Sequence, residues 1–219
     1  KSADSSSGGY TPPADHVPAK EAPDQEVPFY SVYLILASGL TGLVSTADMF
    51  NLYVFLEISS LSCYALVSLG GGVAVVSAFR YVILGTVGAA FYLLSVGYLY
   101  SVTGSLNMAD LAGLLPSLYE SNAVLVGFSF FVIGISLKMA LFPMHAWLPG
   151  AYSNAPSAVS ALVAGTTTKV AAYVLARVMF FVFEPNFSID TLPVTTVLSW
   201  MAAIAMILGS VMAMAQSDL

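Results

Sequence analysis

Charge is what this sequence has least of. Only 8% of its 219 residues are charged, against 58% hydrophobic, and the mean hydropathy is +0.86. Soluble domains carry about a quarter charged residues, so this composition cannot clothe a water-facing surface and reads as an integral membrane protein. Cysteine is almost absent. With Cys63 alone the chain has no internal disulfide, no cysteine-rich zinc site and no iron–sulfur cluster of its own. The two histidines, His16 and His145, stand far apart in sequence and make no metal cage, so neither a metal nor a cofactor is expected. A net charge of −6 has the wrong sign for a nucleic-acid surface. No signal peptide is visible, and the chain opens on Lys1 and stops just after an apolar run; the expectation is a piece of a longer protein.

The few charges are unevenly spread. Lys1, Asp4, Asp15, Lys20, Glu21, Asp24 and Glu26 fall in a Ser/Pro-rich opening segment, residues 1–27, with no apolar period. Such a segment cannot bury enough surface to offset its ordering entropy, which makes it a flexible acidic tail or interhelix loop. From residue 28 onward come runs of about 20 apolar residues, the length that crosses ~30 Å of hydrocarbon. The expected fold is all-α, with a transmembrane domain over 28–219 and six helices at about 28–46, 48–69, 79–100, 122–142, 155–182 and 192–214. The Asn-Met-Ala-Asp-Leu segment 107–111 is expected as a short surface helix. Six crossings put the opening segment, the triglycine at 70–72 and the link after Lys138 on one side, called face A. Face A carries Lys1, Lys20 and Arg80 against Arg177 on face B, which assigns A to the cytoplasm by the positive-inside rule. Arg80 is read as marking a helix start at the headgroups.

Three ionisable residues lie well inside these helices: Glu57, Lys138 and Lys169. An isolated charge at bilayer centre costs from ~3 to more than 10 kcal/mol, so such residues face a bundle interior and find partners. The simplest pairing joins Glu57 to Lys138, leaving Lys169 as a third buried charge in a wet or hydrogen-bonded environment where a lysine can take and release protons. The competing reading is that a Glu–Lys pair only fixes helix packing, or that Lys138 snorkels to face A. Pro143 has no N–H for the carbonyl of Met139 and its ring clashes there, so a helix break is expected beside Lys138. Opened backbone at membrane depth is tolerated only where protein covers it or a wet cavity adjoins it. Thr166, Thr167, Thr168, Tyr173, Ser157 and Ser160 cluster about Lys169 and could relay protons, or serve as packing residues. His145 is a candidate relay between the lysines; the alternative is a loop histidine bonded to its own turn. Gly39, Gly42, Gly85 and Gly88 read as close helix contacts, and Trp147 and Trp200 as interfacial or packing aromatics.

The segments Asp48-Met-Phe-Asn-Leu-Tyr-Val-Phe-Leu-Glu57, Gly104 to Leu111, Lys138-Met-Ala-Leu-Phe-Pro-Met-His-Ala-Trp-Leu-Pro149, Ser153 to Leu162 and Thr168 to Tyr173 resemble the antiporter-like membrane subunits. That family is shared by Mrp-type cation/proton antiporters, respiratory complex I and membrane-bound hydrogenases. The resemblance implies a pair of inverted five-helix repeats within about fourteen helices, of which this chain holds the first repeat, with its broken helix near Lys138–Pro143, and the start of the second. It implies proton-translocating roles for Glu57, Lys138 and Lys169, a prokaryotic cell membrane, other membrane subunits as partners, and protons, with Na⁺ as a further candidate, as cargo. Gly150 stands where many complex I relatives carry aspartate, which tilts the expectation towards the Mrp-type or hydrogenase branch over complex I. Two readings of another class are a structural subunit without transport and a retinal-type pigment; six helices and a second lysine do not fit the latter.

Overall fold

The computed structural model describes residues 26–215, so the opening segment lies outside the described residues except for its last two positions. Six helices are long and apolar enough to cross a membrane, as the run lengths predict: α1 (Glu26–Ser45), α2 (Met49–Ser68), α3 (Val73–Thr103), α5 (Asn122–Met139), α7 (Ser157–Arg177) and α9 (Val194–Met214). Between them lie α4 (Met108–Leu114), α6 (Leu148–Asn154) and α8 (Glu184–Asn186), a single turn; α7 runs on through a π turn, Val178–Val182. No strand occurs among the described residues. Helix α3 begins at Val73, well before the expected start, so Arg80 sits two turns into it rather than at its beginning.

Short polar side chains place the turns. The Asp48 carboxylate accepts from the backbone N–H groups of Phe50 and Asn51, and the Asn107 side chain accepts from those of Ala109 and Asp110. Each cap satisfies donors that a helix start leaves open. The two caps also clasp each other: Met49 N–H donates to Leu106 O at 2.9 Å and Met108 N–H to Ala47 O at 2.8 Å. Helix α4 is therefore docked as well as surface-lying, with Met108 and Leu111 fully buried. Nearby, Tyr119 O–H donates to Phe183 O at 2.5 Å and its ring stacks on Phe187. Burial, with Glu184 close by, pushes the Tyr119 phenol up to about 12.

At the other end, helix α5 breaks where Pro143 requires. Ala140 turns into the left-handed region at φ 56°, and Leu141 N–H reaches back to Ser136 O at 2.9 Å, a Schellman-type close with alanine where glycine is usual. The link then folds under the bundle. Trp147 Nε1 donates to Leu137 O at 3.2 Å while its ring stacks on Tyr81 at 4.0 Å, Asn154 Nδ2 donates to Ser77 Oγ, and Ser160 Oγ donates to Tyr152 O. Trp147 is thus a packing residue, whereas Trp200, on α9, is 69% exposed. No residue of α9 is buried.

Two apolar clusters result, one around Tyr92, Phe128, Phe131 and Phe183 and one around Cys63, Tyr81, Trp147 and Val159. Helix crossings between them depend on glycine. A Cβ on Gly134 would stand 2.7 Å from Gly88 O and 2.8 Å from Tyr92 N, both backbone atoms that cannot swing aside. Gly39 likewise meets the Ser59 backbone, whereas Gly42 and Gly85 face the side chains of Phe55 and Tyr64. Gly134→Ala is expected to push α3 from α5 and cost about 1–3 kcal/mol, read as a lowered thermal midpoint of the purified membrane protein; an unchanged midpoint would show that the crossing is looser than this.

Candidate functional site

The two clusters meet at Lys138. Placed in the last turn of α5 and 7% exposed, its ammonium does not snorkel: Nζ donates to Ser60 Oγ at 2.8 Å and to Glu57 Oε1 at 3.3 Å, both on α2. The Glu57 side chain, in the middle of α2, keeps 26% of its surface. Charge-assisted N–H···O bonds close to about 2.7–2.9 Å, so the tighter contact of this ammonium is with the neutral serine and the carboxylate stands slightly back. The ammonium has three donors and two are engaged. Beside it lies a small cavity of ≈ 30 Å³, bordered by Ser59, Ser60, Cys63, Tyr81, Lys138 and, from α7, Thr167. That is room for one or two waters, in a site polar enough to hold them.

Lys169 is placed differently from the expectation of a third buried charge. It lies at the midpoint of the Ser157–Val182 span, but its side chain is exposed on the outer face of α7. It borders an open groove of ≈ 390 Å³ between α1 and α7 with Thr41, Thr166 and Tyr173. Its ammonium folds back along its own helix, donating to Ala164 O at 2.5 Å and Thr168 Oγ1 at 3.2 Å. The physical reason is the turn count: Thr167 faces the Lys138 cavity, and a residue two positions on points well away from it. The structure therefore joins Glu57 to Lys138 and leaves Lys169 separate.

Of the hydroxyls grouped with Lys169 in the sequence, Thr166 and Thr167 donate to the carbonyls one turn back, Ser160 is engaged with the link, and Ser157 is exposed. His145 lies in the link with Nδ1 buried and unpartnered, its ring against Phe142. Among the described residues it makes no hydrogen bond to either lysine. Ser60 and Cys63 were missed as site residues by the sequence reading. Ser60 had a signal: it follows Glu57 by one turn on the same helix face. Arg177 reaches across to the end of α1, donating to Val44 O at 3.2 Å.

Residues 46–219 match the family model described as NADH:quinone oxidoreductase/Mrp antiporter, TM. The chain belongs to this family. It is 53% identical over 197 residues to NADH-quinone oxidoreductase subunit N of Desulforudis audaxviator, covering 90% of this chain and 39% of that protein. It is 34% identical over 191 residues to a Na(+)/H(+) antiporter subunit of Bacillus subtilis, covering 87% of this chain and 38% of that one. Among solved structures, a chain of the membrane-bound sulfane sulfur reductase, an archaeal respiratory membrane complex, matches with a TM-score of 0.71 at 33% identity, over 78% of this chain and 34% of that chain. The chain thus spans about two fifths of the length of the relatives it matches.

The pairing has an energetic signature. Lys138→Met strands a largely buried carboxylate and is expected to cost about 3 kcal/mol, at the lower end for such a break because Glu57 keeps some solvent contact. Adding Glu57→Leu removes the stranded charge and is expected to recover most of the loss in thermal unfolding. A double variant as unstable as the single one would show that the two side chains are not energetically coupled.

Proposed function

We propose that this chain is a proton-translocating membrane subunit, or part of one, in a multisubunit ion-translocating complex, and that Glu57, Lys138 and Lys169 carry the proton. The observation that supports it best is the Glu57–Lys138 contact at 3.3 Å beside a cavity that opens towards α7. An ionised carboxylate beside an ammonium favours the ammonium's charged form, and separating the two withdraws that support. Drawing Glu57 away, by a charge on a neighbouring subunit, releases the Lys138 proton into the cavity; restoring the pair recaptures one. Lys169 is the next acceptor, and its groove is where the path leaves these helices. His145, with its unpartnered Nδ1, is a secondary relay candidate. No redox chemistry is assigned to this chain.

The partners are other membrane subunits of the complex, the cargo is protons, with Na⁺ a further candidate, and the location is a prokaryotic cell membrane with residues 1–27 as a cytoplasmic tail or loop. Gly150 favours an Mrp-type or hydrogenase-type complex. The 53% identity to an NADH-quinone oxidoreductase subunit N, against 34% to the Na(+)/H(+) antiporter relative, favours a complex I-type one and rests on many more positions.

Vesicles holding the full complex provide the test. Lys169→Ala is expected to abolish proton or cation/proton exchange while the complex assembles in wild-type amount. Unchanged exchange would remove Lys169 from the ion path and favour a structural role for these charges.

A further inference from the structure

Packed against the Trp147 cluster is a side chain whose polar atom has no partner among the described residues. Tyr152, in α6 of the broken link, points its ring into the bundle. Its hydroxyl is buried without a hydrogen bond, and it faces the hydroxyls of both Thr167 and Thr168. A buried hydroxyl left open in this way calls for an explanation by function or by water. The two threonines are not equivalent. Thr167 borders the cavity that Lys138 shares, whereas Thr168 accepts the hydrogen bond from the Lys169 ammonium at 3.2 Å. The backbone holding Tyr152 is itself pinned, since its carbonyl accepts from Ser160 Oγ at 2.7 Å.

We infer that the Tyr152 hydroxyl bridges Thr167 and Thr168 and so carries protons between the Lys138 cavity and Lys169. This rests on the proton-translocating reading of the two lysines. The exchange balances without any oxidant or co-reactant. A Lys138 ammonium gives its proton to a cavity water, which passes one to Thr167. Thr167 turns its O–H from the Val163 carbonyl and donates to Tyr152, which donates to Thr168, which donates to the Lys169 amine. Each hydroxyl gains one proton and loses one, Lys138 ends neutral, Lys169 ends protonated, and reorientation of the hydroxyls resets the chain. Tyrosine suits the position because one O–H donates and accepts at once, while the ring keeps the crossing closed to bulk water.

The test compares Tyr152→Phe, Tyr152→His and Lys169→Ala in vesicles holding the full complex, with assembly checked on native gels. Tyr152→Phe is expected to slow exchange about tenfold, less than the roughly 100-fold of an ordinary proton-transfer group because a water can enter the vacated space. Tyr152→His, which can also donate and accept, is expected to restore most of the rate. Wild-type exchange in Tyr152→Phe alongside loss in Lys169→Ala would overturn the inference and leave the lysine reading standing. Equal loss in the Phe and His variants would also overturn it, assigning Tyr152 to packing. Unchanged exchange in Lys169→Ala would defeat the lysine reading and this inference with it. If Tyr152→Phe does not assemble, Thr168→Val interrupts the same path, and wild-type exchange there would overturn the inference.

Discussion

A lysine ammonium in a membrane-spanning bundle needs a carboxylate, a hydrogen-bonding neighbour and a little water, and the arrangement around Lys138 supplies the first two and leaves room for the third. Glu57 and Ser60 come from one face of α2, and the cavity lies where the two apolar clusters meet. An ion pair of this kind is not a strong source of stability, because desolvation offsets most of the Coulombic gain. Its value is that its proton affinity depends on the distance between two side chains held by different helices. A shift of α2 against α5 would change that distance.

The broken link makes that placement possible. Had α5 continued straight, the Lys138 carbonyl neighbourhood would be closed by helix hydrogen bonds. Pro143 forbids this, the left-handed turn at Ala140 ends the helix, and the freed segment returns beneath α3 and α5, anchored by Trp147 on Leu137 O and Tyr81. Trp147 is thereby buried against the bundle, the kind of protein cover that opened backbone needs within a membrane. The same segment carries His145 and Tyr152, whose buried polar atoms are unpartnered among the described residues. The glycine crossings at Gly88 and Gly134 bring α3 and α5 close enough to shield the site from the side.

The six spans were legible because hydrocarbon thickness dictates run length, and the three intramembrane charges were legible because few other side chains in those runs are charged. Which way a side chain points was much less so. These helices are apolar all round, and without a polar stripe the sequence has no marker of inside and outside. Lys169 shows the consequence: its central position along α7 could be read, its exposure on the outer face could not. Ser60 was readable from its one-turn spacing to Glu57, while Tyr152 was not, since its placement depends on how an irregular link folds back. The early start of α3 escaped because Val73 to Ala78 is as apolar as the helix it joins and the triglycine alone marks the boundary.

Proton release by the proposed route requires that Glu57 and Lys138 form an ionised pair. Infrared difference spectroscopy of the purified complex, comparing wild type with Glu57→Gln, reports the protonation state of that carboxyl directly. The prediction is that the band lost on substitution is a carboxylate band. A protonated Glu57 in the wild-type complex would contradict the account, because a neutral acid beside Lys138 could neither hold nor release its proton by charge.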